Sequence, residues 1–442
     1  MRDELFAAVR RAGVIGAGGA GFPTHVKLGL PAKTVVVNGA ECEPLLRVDQ
    51  QLMELYAERL VAGLSAAVSA TGAEEGIIAL KGKYAKAIAT LRAAINSPVL
   101  RLHVMDDFYP AGDEHVTVNE ATGRLVPQGG IPVSVQCVVS NVETLLNVAD
   151  ALDGKPVTHT WLTITGDVPN PITIRLPIGM SVAAAVALAG RTDLTGVHVI
   201  DGGPMMGRVV DDVNRPVTKT TKGLIVLPDS HPLMQRRRLP LGKIIRQAQT
   251  ACMQCRFCTD LCPRYLLGHR IEPHRIMRSV RHMDMSSDVL KMAFACSECG
   301  ACEYACIMGL SPRRVNGMLK QELARAGAKP HPAPENQFRH QFQSERRIPV
   351  KRLIARLGLS AYDRKAPLVN DIVMPDRVRI PLKQHVGAPC TPTVAPGQYV
   401  RVGDEIGAVP DNALGAAVHA SMNGTVAAVA DGYVEIGAAE GR

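Results

Sequence analysis

Eight of the eleven cysteines fall into two runs of identical spacing. The first is Cys252-Met-Gln-Cys255-Arg-Phe-Cys258-Thr-Asp-Leu-Cys262-Pro263, and the second is Cys296-Ser-Glu-Cys299-Gly-Ala-Cys302-Glu-Tyr-Ala-Cys306, with Ile307 in place of the proline. Three thiolates spaced three residues apart can wrap three corners of an iron–sulfur cube in one tight loop. A fourth, on the residue that leaves the loop, points away and serves a neighbouring cube. The spacing therefore predicts two [4Fe–4S] clusters with crossed ligation, one on Cys252, Cys255, Cys258 and Cys306, the other on Cys296, Cys299, Cys302 and Cys262. Structural zinc is the alternative, but zinc ligands normally come as two separated pairs on two loops. Cys42, Cys137 and Cys390 stand alone and are read as small buried hydrophobes.

Glycines make the second concentration of chemistry. Gly16-Ala-Gly18-Gly19-Ala-Gly21 matches the dinucleotide pattern G-x-G-x-x-G, and Glu41 follows at the distance of a ribose-binding acid. That reading requires a strand before the glycines and a long helix after them. Instead Leu5, Ala8, Val9 and Ala12 form a helix face before them. Afterwards Pro23, Gly29 and Pro31 interrupt the short interval before the strand Thr34-Val35-Val36-Val37. The standard nucleotide fold is set aside.

The same residues resemble the FMN-binding signature shared by the NADH-oxidising flavoprotein subunit of respiratory complex I and the RnfC subunit of Rnf electron-transport complexes. The likeness runs through Gly16–Phe22-Pro23-Thr24-His-Val-Lys27, Asn38-Gly-Ala-Glu41-Cys-Glu43-Pro44, Tyr109-Pro-Ala-Gly112-Asp113-Glu114 and Ser140-Asn141-Val-Glu-Thr144. The resemblance implies that Gly16, Gly18, Gly19, Gly21, Phe22, Lys27, Asn38, Tyr109, Gly112, Asn141 and Thr144 surround FMN. It implies too that the acids Glu41, Glu43 and Glu114 line the space shared with the nicotinamide substrate. Glycines let backbone N–H groups approach a phosphate and a ring without Cβ collisions. Ala17 stands where complex I proteins usually carry arginine, which alters the charge of the pocket. No catalytic residue is assigned.

Positioning these groups takes several domains. A length of 442 residues suggests about three or four of them. Residues 1–150 are read as a Rossmann-like FMN domain. Residues 155–228 hold four strand-like stretches, Trp161–Thr165, Ile172–Leu176, Val197–Ile200 and Gly223–Leu227, and one helical stretch from Ser181 to Ala189. They resemble the SLBB β-grasp domain of RnfC. Residues 240–325 form a helical two-cluster ferredoxin module, with helices expected around 275–280 and 289–294. Residues 367–442 resemble the all-β barrel-sandwich hybrid of lipoyl carriers, with Met422-Asn423 where a modified lysine would stand, so no swinging arm is expected. The fold class is thus multidomain α/β and α+β.

Net charge is +9, and all of it comes from residues 313–365, which hold thirteen basic and four acidic side chains. That stretch, with its prolines, reads as a solvated basic linker over 326–366, or else as a docking surface for an acidic partner. Only 4% of residues are aromatic, against stacking platforms for nucleic acid. No apolar run is long enough for a membrane span, and no secretory leader is visible, so the default compartment is cytoplasmic.

Domain order carries further meaning. In RnfC the barrel comes first, whereas here it comes last, an order resembling the cobalamin reductases of propanediol-utilising bacterial microcompartments. The resemblance implies an NADH-dependent oxidoreductase passing electrons from FMN through the clusters to cobalamin. Its implied partners are a corrinoid adenosyltransferase and shell proteins, with the first helix as a candidate targeting peptide. An Rnf-like subunit working between NADH and ferredoxin, or an electron-carrying scaffold without corrinoid activity, are the other readings.

Overall fold

The computed structural model describes residues 2–438. Helix Arg2–Arg11 buries Leu5 and Val9 against the body of its own domain, packing on helix Val142–Leu152. Beyond it the run Thr34–Gly39 is the centre of a four-stranded sheet, flanked by Glu75–Lys81 on one side and Cys137–Asn141 on the other, with Leu100–Met105 outermost. All pairs are parallel. Val35, Val36, Val37, Ile77 and Ile78 are fully buried, as expected of parallel strands covered by helices on both faces. The chain first builds outward from Thr34–Gly39 and only later returns to its other side. This reversal places Asn38 and Asn141 side by side at two carboxyl ends, the crevice in which open α/β sheets take ligands.

The next unit is a six-stranded sheet in which His159–Gly166, Ile172–Pro177, Val197–Asp201 and Gly223–Pro228 are the long strands. They coincide with the four stretches read from the sequence. Ser181 caps helix Val182–Ala187 by accepting from the Ala184 N–H. In the cysteine module the two runs repeat one conformation. Gln254 and Arg256 in the first, and Glu298 and Gly300 in the second, adopt left-handed backbone. Short helices Phe257–Asp260 and Ala301–Ala305 follow and pack on each other. Three of these four left-handed residues are not glycine, which costs about 1 kcal/mol each and is kept where the surroundings demand it. The expected helices stand as Pro273–Ser279, and as Asp288–Lys291 continued by a tight turn.

Much of 326–347 is exposed and without regular structure, as expected of a solvated linker. The stretch 326–366 also acts as a strap, however, with Arg346, Arg347, Arg356 and Arg364 finding partners in the rest of the protein. Ile348–Pro349 pairs antiparallel with Phe108–Tyr109. Arg347 reaches Asp106 and Glu120 at 2.8 and 2.7 Å, and its guanidinium lies 4.5 Å from the centre of the Phe108 ring. Arg364 donates to the carbonyls of Gly166 and Val168. Part of the positive excess thus pairs with acids of the first domain and of the cysteine module and hydrogen-bonds carbonyls of the second, which composition alone could not reveal.

The last unit faces a four-stranded sheet against a three-stranded one, with Val378, Ile380, Ile406, Val426 and Ile436 between them. This core continues into that of the first domain. Buried Lys219 donates to the carbonyls of Gly13 and Ala417 at 2.7 and 2.8 Å, joining the first, second and last units at one point. At the hairpin where a carrier lysine would stand, the Asn423 side chain accepts from the Val402 N–H at 2.8 Å. Among the described residues, no helix is long and apolar enough to cross a membrane.

Candidate flavin and cluster sites

The glycine loop is closed by a bridge between Ile15 and Pro23, with the Gly16 N–H donating to Phe22 O at 2.9 Å. It folds down over the two carboxyl ends. The Ala17 N–H donates to Thr144 Oγ1 at 2.9 Å, and Gly18 lies so close to Asn141 that a Cβ there would meet the asparagine side chain at 3.0 Å. Between loop and sheet is a cavity of about 170 Å3. Gly16, Gly18, Gly19, Gly21 and Phe22 line one side of it, and Lys27, Asn38, Gly112, Glu114, Asn141 and Thr144 the other.

Two features show that this space suits a polyol phosphate. Thr24 and Ser140 are 1% and 4% exposed, line the cavity, and have no hydrogen-bond partner for their hydroxyls. Buried hydroxyls without partners are costly and rare, so an absent ligand is their natural complement. Gly19, by contrast, has nothing within 4 Å of where its Cβ would stand. Lys27 Nζ, 3.4 Å from Glu114, supplies a cation at the rim. These residues fit FMN.

Asn38 and Asn141 are partly committed within the protein. Asn38 donates to Gly112 O at 2.9 Å, and Asn141 to Asp49 Oδ2 at 2.7 Å, leaving each one amide hydrogen for a ligand. Thr24 and Ser140 carry no role in the sequence reading. Their signal was a polar residue inside a matched motif, and for Ser140 one directly after the apolar pair Val138-Val139.

Glu41, Glu43 and Tyr109, expected around the same pocket, do not line this cavity. Glu41 accepts from the Val48 N–H at 2.8 Å; burial and then the neighbouring Asp49 push its carboxyl up to about 7. Glu43 accepts from the N–H groups of Met205 and Met206 at 2.8 and 2.9 Å, bracing the glycine turn of the second unit. Tyr109 is 1% exposed and points to the cysteine module. Each is held by a partner outside the flavin cavity, which is why it stands apart.

Cys252, Cys255, Cys258 and Cys306 line one small cavity, the crossed set that the spacing predicts. The Cys258 thiol is pushed up to about 12, first by burial and then by Cys306, Cys252 and Cys255. The other four cysteines share a second, deeper location. Burial first, then Cys262 and Cys296, raises Cys299; burial first, then Cys296 and further on Cys299 and Cys262, raises Cys302. Such thiols need a cation to become thiolates. Among the described residues no three His, Cys, Asp or Glu side chains are placed to hold a single metal ion. The first set borders a cavity. Donors already aim at several sulfurs: Gln254 Nε2 at Cys252 (3.1 Å), the Glu298 N–H at Cys296 (3.3 Å), Asn316 at Cys296 (3.4 Å) and the Leu310 N–H at Cys306 (3.4 Å).

The two sets differ in position. Cys255 is exposed while Cys262, Cys299 and Cys302 are buried. Met253, Phe257, Ile307 and Met308 are exposed beside the first set, whereas the second set lies against Tyr109.

Fold and site together define a flavo-iron–sulfur electron-transfer protein. Family models agree: the Nuo51 FMN-binding domain matches residues 9–150, the SLBB domain 162–209, the 4Fe-4S dicluster domain 251–311 and the RnfC barrel sandwich hybrid domain 361–440. The chain is 48% identical over 437 residues to cobalamin reductase PduS of Salmonella typhimurium, covering 98% of this chain and 96% of that one. It belongs to the PduS cobalamin reductase family. It is also 36% identical over 271 residues to a component of the Na(+)-translocating ferredoxin:NAD(+) oxidoreductase complex of Acetobacterium woodii, over 60% of this chain and 58% of that component. The fold is similar to that of a chain of an NAD+-reducing [NiFe]-hydrogenase, with a TM-score of 0.50 and 22% identity, covering 75% of this chain and 63% of the hydrogenase chain.

Proposed function

We propose that this protein is an NADH-dependent cobalamin reductase, holding FMN beneath the Gly16–Phe22 loop and two [4Fe–4S] clusters on the crossed cysteine sets. FMN accepts electrons in pairs and the clusters carry them singly, which is the conversion needed between a hydride donor and cobalt. The chain's own residues bind and orient. Backbone N–H groups of the glycine loop and the free hydroxyls of Thr24 and Ser140 hold the polyol and phosphate. Lys27 balances phosphate charge. The last domain covers the outer side of the loop, where the Val386 N–H donates to Gly21 O at 3.1 Å, and so limits water. The exposed Cys255 and its apolar surround are where an acceptor from solution meets the protein.

The observation that carries this reading is near-full-length similarity to a cobalamin reductase in a chain whose crossed cysteines line one cavity. The finer setting is part of the same proposal. Reduced cobalt is captured by a corrinoid adenosyltransferase, and the protein works within a bacterial microcompartment. Helix Arg2–Arg11, with its apolar face already buried, supports packing rather than targeting.

The test is oxygen-free purification followed by addition of NADH and cobalamin. About eight irons and one FMN per chain, with the spectrum of low-valent cobalt appearing on NADH addition, are expected. Zinc without flavin, or fully loaded protein that leaves cobalamin unreduced, overturns the assignment.

A further inference from the structure

A cleft of about 650 Å3 opens where the first, second and last units meet. Its floor is helix Val142–Leu152, which contributes Glu143 to this cleft while the next residue, Thr144, faces the flavin cavity. The two spaces therefore share this helix as a common wall. The other walls come from the sheet of the second unit and from Val402–Gly403 of the last. Clefts of this size at domain junctions are the usual place for a ligand of several hundred daltons.

Its lining has a definite chemistry. Tyr56 and Trp161 meet with ring centres 5.9 Å apart, and the Arg175 guanidinium lies 6.0 Å from the centre of the Trp161 ring. The acids nearby are neutralised by other partners. Glu143 pairs with Lys222, and Asp150 and Asp153 both pair with Arg59. Exposed Arg175 has no carboxylate partner among the described residues. At its side His159 is tied through Nδ1 to Thr158 Oγ1 at 2.8 Å. Burial first, then Arg175, pushes this histidine down to about 4. It is neutral near pH 7, with Nε2 left for a ligand.

We infer that this cleft binds an aromatic base on a ribose that carries an esterified phosphate, the base against Trp161 and Tyr56 and the phosphate on Arg175. Aromatic faces take a base of any identity, and a free guanidinium matches a phosphate in two-pronged geometry. Two sources offer this chemistry: the nucleotide tail of a corrinoid and a pyridine dinucleotide. The corrinoid source rests on the acceptor proposed above; the dinucleotide source does not.

Trp161 is the one tryptophan in the sequence, so its fluorescence reports on this cleft directly, and equilibrium dialysis gives the affinity. The probes are cyanocobalamin, cobinamide (which lacks base and phosphate) and NAD+, each added to the flavin- and cluster-loaded protein without reductant. Either cyanocobalamin or NAD+ binds and quenches Trp161. Arg175→Gln weakens that binding about tenfold or more, as loss of a charge-assisted contact should, with flavin content, iron content and thermal midpoint unchanged. For the corrinoid source, cobinamide binds at least about tenfold more weakly than cyanocobalamin, the same contact being lost from the ligand side. The inference fails if neither probe perturbs Trp161, if Arg175→Gln binds as tightly as the parent, or if cobinamide equals cyanocobalamin while NAD+ does not bind. Binding that persists where NADH-driven cobalt reduction is absent keeps the cleft and removes only the acceptor assignment.

Discussion

The Tyr109 hydroxyl donates a hydrogen bond to the carbonyl oxygen of Cys299 across 2.5 Å. One end of this bond belongs to the flavin domain and the other to the loop of the deeper cysteine set, so two redox units are joined at a single buried point. In Tyr109→Phe the ring still fills its space, but the Cys299 carbonyl loses its donor. An unsatisfied buried acceptor costs about 1–3 kcal/mol, and the thermal midpoint should fall accordingly. The paramagnetic signal of the cluster on Cys262, Cys296, Cys299 and Cys302 should shift while the other stays. Equal disturbance of both signals would refute the local link.

Crossed ligation makes a prediction that motif-by-motif ligation does not. Cys262→Ala and Cys296→Ala should abolish the same cluster signal, although the two residues belong to different runs. Cys306→Ala should instead remove the signal lost in Cys252→Ala. Electron paramagnetic resonance of the reduced variants decides between the arrangements, since uncrossed ligation pairs Cys262 with Cys252.

Gly19 offers a substitution that touches the ligand and nothing else. Its Cβ position is open within the protein, so Gly19→Val should leave the thermal midpoint of flavin-free protein unchanged while lowering bound FMN sharply. Gly21→Ala is the contrasting case. Its φ is +70°, and a Cβ would lie 3.0 Å from Gln384 O, so stability should drop by about 1–2 kcal/mol even without flavin. Normal FMN content in Gly19→Val would place the cofactor elsewhere.

Acid should destabilise the fold by forcing charge onto its buried histidines. Burial pushes His115 and His419 down to about 3, and His159 and His269 down to about 4, from about 6.5 in an unfolded chain. Below pH 6.5 the unfolded state therefore binds more protons than the folded one, and stability falls as pH drops toward 4. Glu41, raised to about 7, works in the opposite sense between about 4.5 and 7, as do Glu43, Asp49, Asp201 and Glu303, each raised first by burial. His25, His103, His274 and His385, lowered first by burial, add to the histidine side. The urea midpoint should be lower at pH 5 than at pH 7, and His419→Gln should reduce the difference. A midpoint that is flat or higher at pH 5 would show the histidines to be already charged.

How far the sequence carried the structure depended on the range of the signal. The strand Thr34–Gly39 announces itself through consecutive β-branched residues, and the cysteine runs through a spacing that few chemistries use. Both are local. Glu43 illustrates the opposite case, since its carboxylate is fixed by N–H groups more than 160 residues away, so a motif match placed it among flavin neighbours. Thr24 and Ser140 were visible only as polar members of a matched motif. Their unpartnered hydroxyls emerge once folding has buried them. The strap over 326–366 was the least legible element, because nine basic residues with three acids among them resemble a solvated segment until their partners in other domains are known.

That strap yields the last prediction, which turns on Arg347. Its guanidinium serves Asp106 and Glu120 at once and lies over the Phe108 ring. Its side chain is 18% exposed and that of Glu120 only 10%, so this is a largely desolvated pair rather than a surface one. Removing one partner of such a pair costs about 3–5 kcal/mol because the other charge stays buried; with Asp106 in water the lower end applies. Arg347→Ala should therefore loosen the strap, exposing residues 326–346 to limited proteolysis while the remaining domains stay resistant. Arg347→Ala, Glu120→Gln together should recover much of the loss, because the uncompensated carboxylate is then gone. If the double variant is cut as fast as the single one, the strap is held by its short strand and its apolar contacts, and the basic stretch must be explained by something outside this chain.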